Sequence, residues 1–305
     1  MPYFSRHEAF DLFYLDDGPR TGAPATVLLI AGLSCDMHDW SWQVPFLLSL
    51  NLRVISVDGR GQGKSSSPQP TTHGRPPPGS WPGPEGSADP AVVDYYPQST
   101  AHDVMALLDH LGVKENLVVM SHSLGDCIGY YIATSRPKMV AASIGIDPIH
   151  AFTDEQRAEG DALFDNVDAL LPSLIGYFGT FLYAPDGPAW QKTWQLRRMA
   201  QLDPKVAYAI CYGGWGDAED SLGRRGNSAR AFGGKLKCPR LTMGSSEWYV
   251  ATDREHMPKG SEELDEIVII EDRGHWFHQL EGEAFNGHVE RWLGRIGVLP
   301  AKGAE

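Results

Sequence analysis

Largely apolar residues recur along the chain in short unbroken runs, at Thr26–Ile30, Arg53–Val57, Leu117–Met120, Ala142–Ile146, Arg240–Met243 and Ile267–Ile270. Runs of this length, rich in β-branched side chains, suit strands whose two faces are both shielded from water. Between them the spacing turns helical. Thr100 with Asp103 three residues on reads as a capping box, and Val104, Leu107, Leu108 and Leu111 share one face before Gly112 stops the helix. A second helix is expected over Leu124–Ser135, ahead of Pro137, and a third over Ala284–Arg295. Strands alternating with helices predict an α/β fold with a mainly parallel central sheet flanked by helices.

Two segments break the alternation. Residues 66–98 carry prolines from Pro68 to Pro97 among glycines and serines, a composition that fits neither helix nor central strand and predicts a long surface loop. Trp81 within it reads as either a lid anchor or a surface residue. Residues 151–235 lack a strand-like run but hold many aromatic residues, among them Phe178, Trp194 and Trp215. They read as a helical, aromatic-rich cap inserted into a core formed by residues 1–150 and 236–305.

Composition narrows the function classes. With 26 basic against 39 acidic residues the net charge is −13, the opposite of a phosphate-binding footprint, so nucleic acid is not an expected partner. Cys35, Cys127, Cys211 and Cys238 are widely separated and show no metal-ligand spacing, so they read as inert thiols in a reducing compartment, with no metal and no cofactor. The stretch Met1–Leu15 lacks the basic start and apolar core of a signal peptide, and the apolar run around Val27–Leu33 is too short to span a membrane. The expectation is a cytoplasmic protein acting on a small molecule, with no membrane partner and a homodimer as an open option.

The chemistry concentrates after the strands. Ser121-His122-Ser123-Leu124-Gly125 lies between a strand and a helix, the context of a nucleophile elbow, where small neighbours let a tight turn lift the Ser123 hydroxyl above the sheet. Ser121 stands where the usual pattern has glycine. The backbone N–H groups of Leu33, after the strand ending at Ile30, and of Leu124 are the candidate oxyanion donors. His275, in Gly274-His275-Trp276 between the last strand and the last helix, is the candidate base, since a serine hydroxyl needs an imidazole to take its proton. His278 three residues on has no third ligand at a usable spacing, which argues against a metal pair. For the acid, Asp147 at the end of a buried strand is preferred, with Glu247 after the Arg240–Met243 strand as the alternative. His122, Phe178, Trp194, Trp215 and Trp276 are the candidate substrate-binding side chains. Asp58-Gly59-Arg60-Gly61-Gln62-Gly63-Lys64-Ser65 looks like a phosphate loop, but Asp58 occupies the position of its first glycine, so the stretch reads as a glycine-rich turn.

Together these residues resemble the α/β-hydrolase superfamily from about residue 25 to residue 295. Within it, Ser121-His122-Ser123, Asp147, Trp215-Gly216 and Gly223-Arg224-Arg225-Gly226-Asn227-Ser228 are similar to cofactor-independent dioxygenases that open 3-hydroxy-4-oxoquinoline and quinaldine rings. Fungal-type hydrolases and lactonases, whose acid follows the same strand, are the other similar subgroup. The chain departs from the dioxygenases at Leu124, Pro148 and Gly32-Leu33, where they carry a second histidine, a tryptophan and a Gly-Trp pair. The resemblance implies an α/β-hydrolase fold and two enzymatic readings. In one, Ser123, His275 and Asp147 cleave an ester or lactone. In the other, His275 and Asp147 deprotonate a heteroaromatic substrate that reacts with O2. A non-catalytic ligand-binding protein on the same fold is the third reading.

Overall fold

All six apolar runs become strands, within a residue or two of their expected ends. The computed structural model describes residues 2–7, 10–71, 93–150, 152–161, 164, 166–216, 220–255 and 259–300. Its strands are β1 (Tyr3–His7), β2 (Phe10–Asp17), β3 (Thr26–Ile30), β4 (Arg53–Val57), β5 (Leu117–His122), β6 (Val140–Ile146), β7 (Arg240–Gly244) and β8 (Glu266–Ile269). They form one eight-stranded sheet in the order β1-β2-β4-β3-β5-β6-β7-β8. From β3 to β8 all pairings are parallel, and β1 and β2 add an antiparallel edge that the apolar-run pattern did not reveal.

Alternate positions of the parallel strands feed two cores. Leu28 and Ile30 of β3 pack with Val104 and Leu108 of α2 (Pro97–His110) and Cys127 of α3 (Leu124–Ser135). Val27 and Leu29 face the other way. They pack with Leu47 of α1 (Gln43–Ser49) and with Phe285, Val289 and Trp292 of α11 (Gly282–Arg295). Both faces are covered, so the strands read as unbroken apolar runs. No helix of the described residues is long and apolar enough to cross a membrane.

The start of α2 corrects the sequence reading. Tyr96 is the N-cap and Pro97 occupies the first turn, where a missing N–H costs nothing. Thr100 and Asp103 lie inside the helix, so the expected capping box is absent. Asp103 instead receives the buried Arg60 guanidinium. The proline-rich segment therefore ends at Tyr96, two residues earlier than expected. Residues 72–92, Trp81 among them, lie outside the described residues. At the segment's base, Thr71 N–H donates to Val93 O at 3.0 Å and Tyr95 OH donates to Pro68 O at 2.5 Å.

Between β6 and β7 the chain forms α4 (Asp154–Asp161), α5 (Val167–Phe181), α6 (Ala189–Ala200), α7 (Pro204–Trp215) and α8 (Arg225–Phe232). Leu171, Met199 and Ala207 join α5, α6 and α7 in a small apolar cluster of their own. The helices α9 (Glu247–Glu255) and α10 (Phe277–Leu280) flank β8. Parallel register sets the loops after β3, β5, β6, β7 and β8 side by side: Ile30 pairs with Ser121, His122 with Ile146, Ile146 with Met243, and Gly244 with Ile269.

One buried charge cluster ties the loop after β6 to α3 and α9. His150 Nε2 lies 2.7 Å from Asp253 Oδ1, and its Nδ1 lies 2.9 Å from Asp126 Oδ2. Burial pulls the imidazole pKa down, but the two carboxylates outweigh it and push it up to about 9. A histidine raised above its usual ~6.5 contributes stability that is complete below that pH and fades as pH rises through about 9. Urea unfolding between about pH 6 and about pH 9.5 is expected to show this loss in the wild type and a flatter profile in His150→Gln. Equal slopes in the two proteins would contradict it.

Candidate active site

Ser123 sits at φ 58°, ψ −124°, a backbone conformation that costs an L-residue about 1–3 kcal/mol and needs support from its surroundings. Its N–H donates to Ile146 O at 2.9 Å, anchoring the turn to the end of β6. The glycines on either side show why the turn needs small neighbours. A Cβ on Gly32 would lie 2.8 Å from Ser123 Cβ, and one on Gly125 would lie 2.6 Å from the carbonyl oxygens of Ile30 and Ala31. Ser121, the departure from the usual glycine, is accommodated by its own partners. Its hydroxyl donates to the buried Asp126 carboxylate at 2.8 Å, and it faces Gly129, where a Cβ would come within 2.6 Å of Ser121 Oγ.

Asp147 leaves β6 in a left-handed conformation (φ 42°) that turns its carboxylate toward the loop after β8. There His275 Nδ1 lies 2.9 Å from Asp147 Oδ2. A carboxylate accepts, so Nδ1 carries the proton and Nε2 keeps its lone pair. Two further donors converge on the same carboxylate: Ser245 N–H on Oδ1 at 2.6 Å and Ser245 Oγ on Oδ2 at 2.7 Å. Burial raises the Asp147 pKa, and the Ser245 donors act against it by favouring the anion. Burial drives His275 down to about 3, so the resting ring is neutral and able to accept a proton. Glu247, the alternative acid, opens α9 and pairs with Arg254 on the surface, away from His275.

Ser123, His275 and Leu33 line a single cavity of about 460 Å³ with Phe178 and Trp215, two of the expected substrate-binding residues. The aromatic Phe152, Tyr177, Trp248 and Tyr249 side chains, with the aliphatic Ile149, complete the wall, and Gln156, Arg157 and Ser173 are its polar members. Tyr249 stacks on the His275 ring at 5.3 Å and 29°. Leu124 begins α3, where a helix leaves its first N–H groups without intrahelical acceptors. Among the described residues no hydrogen bond joins Ser123 Oγ to His275; such contacts often tighten only when substrate binds.

Three expected wall residues lie elsewhere. His122, the last residue of β5, is buried behind the elbow, with Nε2 2.9 Å from the His275 carbonyl. Trp276 is buried and stacks on Tyr183 at 5.3 Å. Trp194 packs against Trp190 and under the Arg198 guanidinium. The sequence marked these residues by type, and the direction in which each element turns its side chains decided otherwise. Ser245 and Tyr249 escape sequence reasoning because nothing local in Gly244-Ser245-Ser246 or in α9 shows that β7 ends beside β6.

A profile of the alpha/beta hydrolase family matches residues 27–287. A bifunctional esterase/perhydrolase of Acinetobacter calcoaceticus is 29% identical over 190 residues, covering 62% of this chain and 60% of that protein. A non-heme chloroperoxidase of Streptomyces lividans is 30% identical over 183 residues, covering 58% and 56% respectively. The chain thus spans about three-fifths of the length of these relatives. An enol-lactonase from Burkholderia xenovorans superposes with a TM-score of 0.69 at 18% identity, over 96% of this chain and all of the other. A thermophilic esterase from Thermogutta terrifontis gives 0.70 at 18% identity over 97% of both, so the two structures share the fold.

Because Ser121 satisfies the buried Asp126, restoring the usual glycine is expected to harm the protein. Ser121→Gly should lose about 1–3 kcal/mol in urea unfolding by orphaning a carboxylate oxygen. Unchanged or increased stability would show that the Ser121–Asp126 bond does not support the elbow.

Proposed function

The chain belongs to the alpha/beta hydrolase family, and from that premise we propose that it is a serine hydrolase cleaving an ester or lactone of a mid-sized apolar or aromatic compound. The observation that carries this reading is the 2.9 Å Asp147–His275 bond beside the left-handed Ser123 in one aromatic cavity. The esterase and enol-lactonase among the similar proteins support the same class of reaction.

In the proposed mechanism Ser123 Oγ attacks the carbonyl carbon as its proton passes to His275 Nε2. The oxyanion takes hydrogen bonds from the N–H groups of Leu33 and Leu124. Collapse of the tetrahedral adduct breaks the bond to the leaving oxygen, which receives the proton from His275. Water then attacks the acyl-enzyme, again deprotonated by His275, and frees Ser123. A ring whose pKa burial lowers to about 3 is a weak base by itself. Asp147 compensates for this, because its negative charge stabilises the imidazolium as it forms and fixes the tautomer that presents Nε2. The aromatic wall binds the apolar part of the substrate and excludes water.

The same His275–Asp147 dyad supports a second reading, in which it deprotonates a heteroaromatic hydroxyl for reaction with O2 and Ser123 only donates a hydrogen bond. Variant kinetics separate the two. With a short-chain p-nitrophenyl ester, Ser123→Ala and His275→Ala are each expected to lose about 10⁴-fold or more in kcat. Asp147→Asn should lose about 10³–10⁴-fold, while Glu247→Gln, altering an exposed ion pair, should stay within about twofold. Loss in His275→Ala with Ser123→Ala still active, together with O2 uptake on a hydroxyquinolone, would replace the hydrolase by the oxygenase.

A further inference from the structure

Behind the elbow, outside the cavity, the fold assembles a second set of chemistry-bearing side chains. Ser34 turns left-handed (φ 60°), and Asp36 caps the short helical turn Met37–Trp40 by accepting from His38 N–H at 2.9 Å. Met37 N–H is held by Asp58 Oδ1 at 2.8 Å. These contacts tuck Cys35 and Asp39 beneath β5, beside His122. One ligand atom from each of Cys35, Asp39 and His122 falls within 4.8 Å of the other two, and all three residues are buried.

We infer that Cys35, Asp39 and His122 form a binding site for a divalent metal ion, with Zn2+ the best match to a thiolate, a carboxylate and an imidazole. Three features point the donor atoms at a ligand. His122 Nε2 bonds the His275 carbonyl, which can only accept, so Nε2 carries the proton and Nδ1 holds the lone pair. A ring N–H given to a backbone carbonyl is the arrangement that fixes metal-bound histidines. Among the described residues His122 Nδ1 and Asp39 Oδ2 have no partner meeting hydrogen-bond geometry despite full burial, and the Cys35 thiol makes only a long contact, donating to Gln195 Oε1 at 3.8 Å. The other Asp39 oxygen is oriented from outside by Arg198 at 2.5 Å and Gln195 Nε2 at 3.5 Å.

Charge and size are consistent with the assignment. A thiolate and a carboxylate neutralise a dication, and the nearby Arg198 is balanced by Asp36 at 2.9 Å. Zinc bonds of about 2.0–2.3 Å place tetrahedral ligand atoms roughly 3.3–3.8 Å apart, so any pair near the 4.8 Å limit closes up on binding. On binding, the Cys35 S–H bond breaks, its proton goes to solvent, and the sulfur pair forms the metal bond. Three protein ligands leave the fourth position to water. A metal here would pin the loop after β3 to the elbow strand and, through His122, to the His275 backbone. Cys35 and Asp39 are four residues apart, but His122 is remote in the chain, so only the fold completes the set.

The test uses the full chain stripped with a chelator and titrated with Co2+ and, separately, Zn2+, without substrate, so it is independent of the hydrolase reading. One equivalent of Co2+ is expected to give tetrahedral visible bands and a thiolate-to-metal charge-transfer band. Cys35→Ser should abolish the charge-transfer band, and Asp39→Asn should weaken binding about tenfold or more. Zn2+ should raise the Tm of the wild type, and raise that of Asp39→Asn less at the same concentration. Far-UV circular dichroism identifies any variant that has not folded. Absence of the charge-transfer band in the wild type at excess Co2+, its survival in folded Cys35→Ser, or a Tm indifferent to Zn2+ would each overturn the site.

Discussion

The left-handed turn at Ser123 exists because the chain around it has been emptied of side-chain atoms. Gly32 and Gly125 approach the elbow so closely that a single methyl at either would collide with Ser123 Cβ or with the β3 carbonyls. That closeness brings the Leu33 loop, the start of α3 and the serine together, so one steric constraint fixes a candidate nucleophile and both candidate oxyanion donors. The strain of about 1–3 kcal/mol is modest beside the two apolar cores that clamp the sheet from its opposite faces. The Ser123–Ile146 hydrogen bond then links the turn to β6, the strand that delivers Asp147.

Electrostatics completes what sterics begins. Asp147 is buried, and burial alone favours its neutral acid. Three donors, two from Ser245 and one from His275, converge on it and favour the anion. Glu247, on the surface and paired with Arg254, has no such arrangement. In the proposed reaction the same burial that lowers the His275 pKa leaves its ring neutral between turnovers, and Asp147 supplies the compensating charge when a proton arrives. Tyr249, stacked on the imidazole, covers one face of the ring on which that exchange takes place.

Much of this was legible in the sequence, for a physical reason. Strands buried on both faces are written as unbroken apolar runs, and chain order places an elbow serine, an acid after the next strand and a histidine after the last one. What was not legible depends on neighbours distant in the chain. The edge strands β1 and β2 lack an apolar run, and α2 starts at a proline that composition assigned to a loop. Ser245 reaches Asp147 only through β6–β7 pairing. Ser121 departs from the usual glycine, and its compensating partners Gly129 and Asp126 are not marked by any local pattern. His122, Trp194 and Trp276 have the residue types of a binding wall, yet their elements turn them into the interior.

The most direct measurement is the reaction of the protein with a fluorophosphonate, followed by peptide mass spectrometry to locate the adduct. The account predicts one adduct, on Ser123, absent in Ser123→Ala and formed far more slowly in His275→Ala. A folded protein that takes up no label, or takes it at another residue, would contradict the assignment of Ser123 as nucleophile.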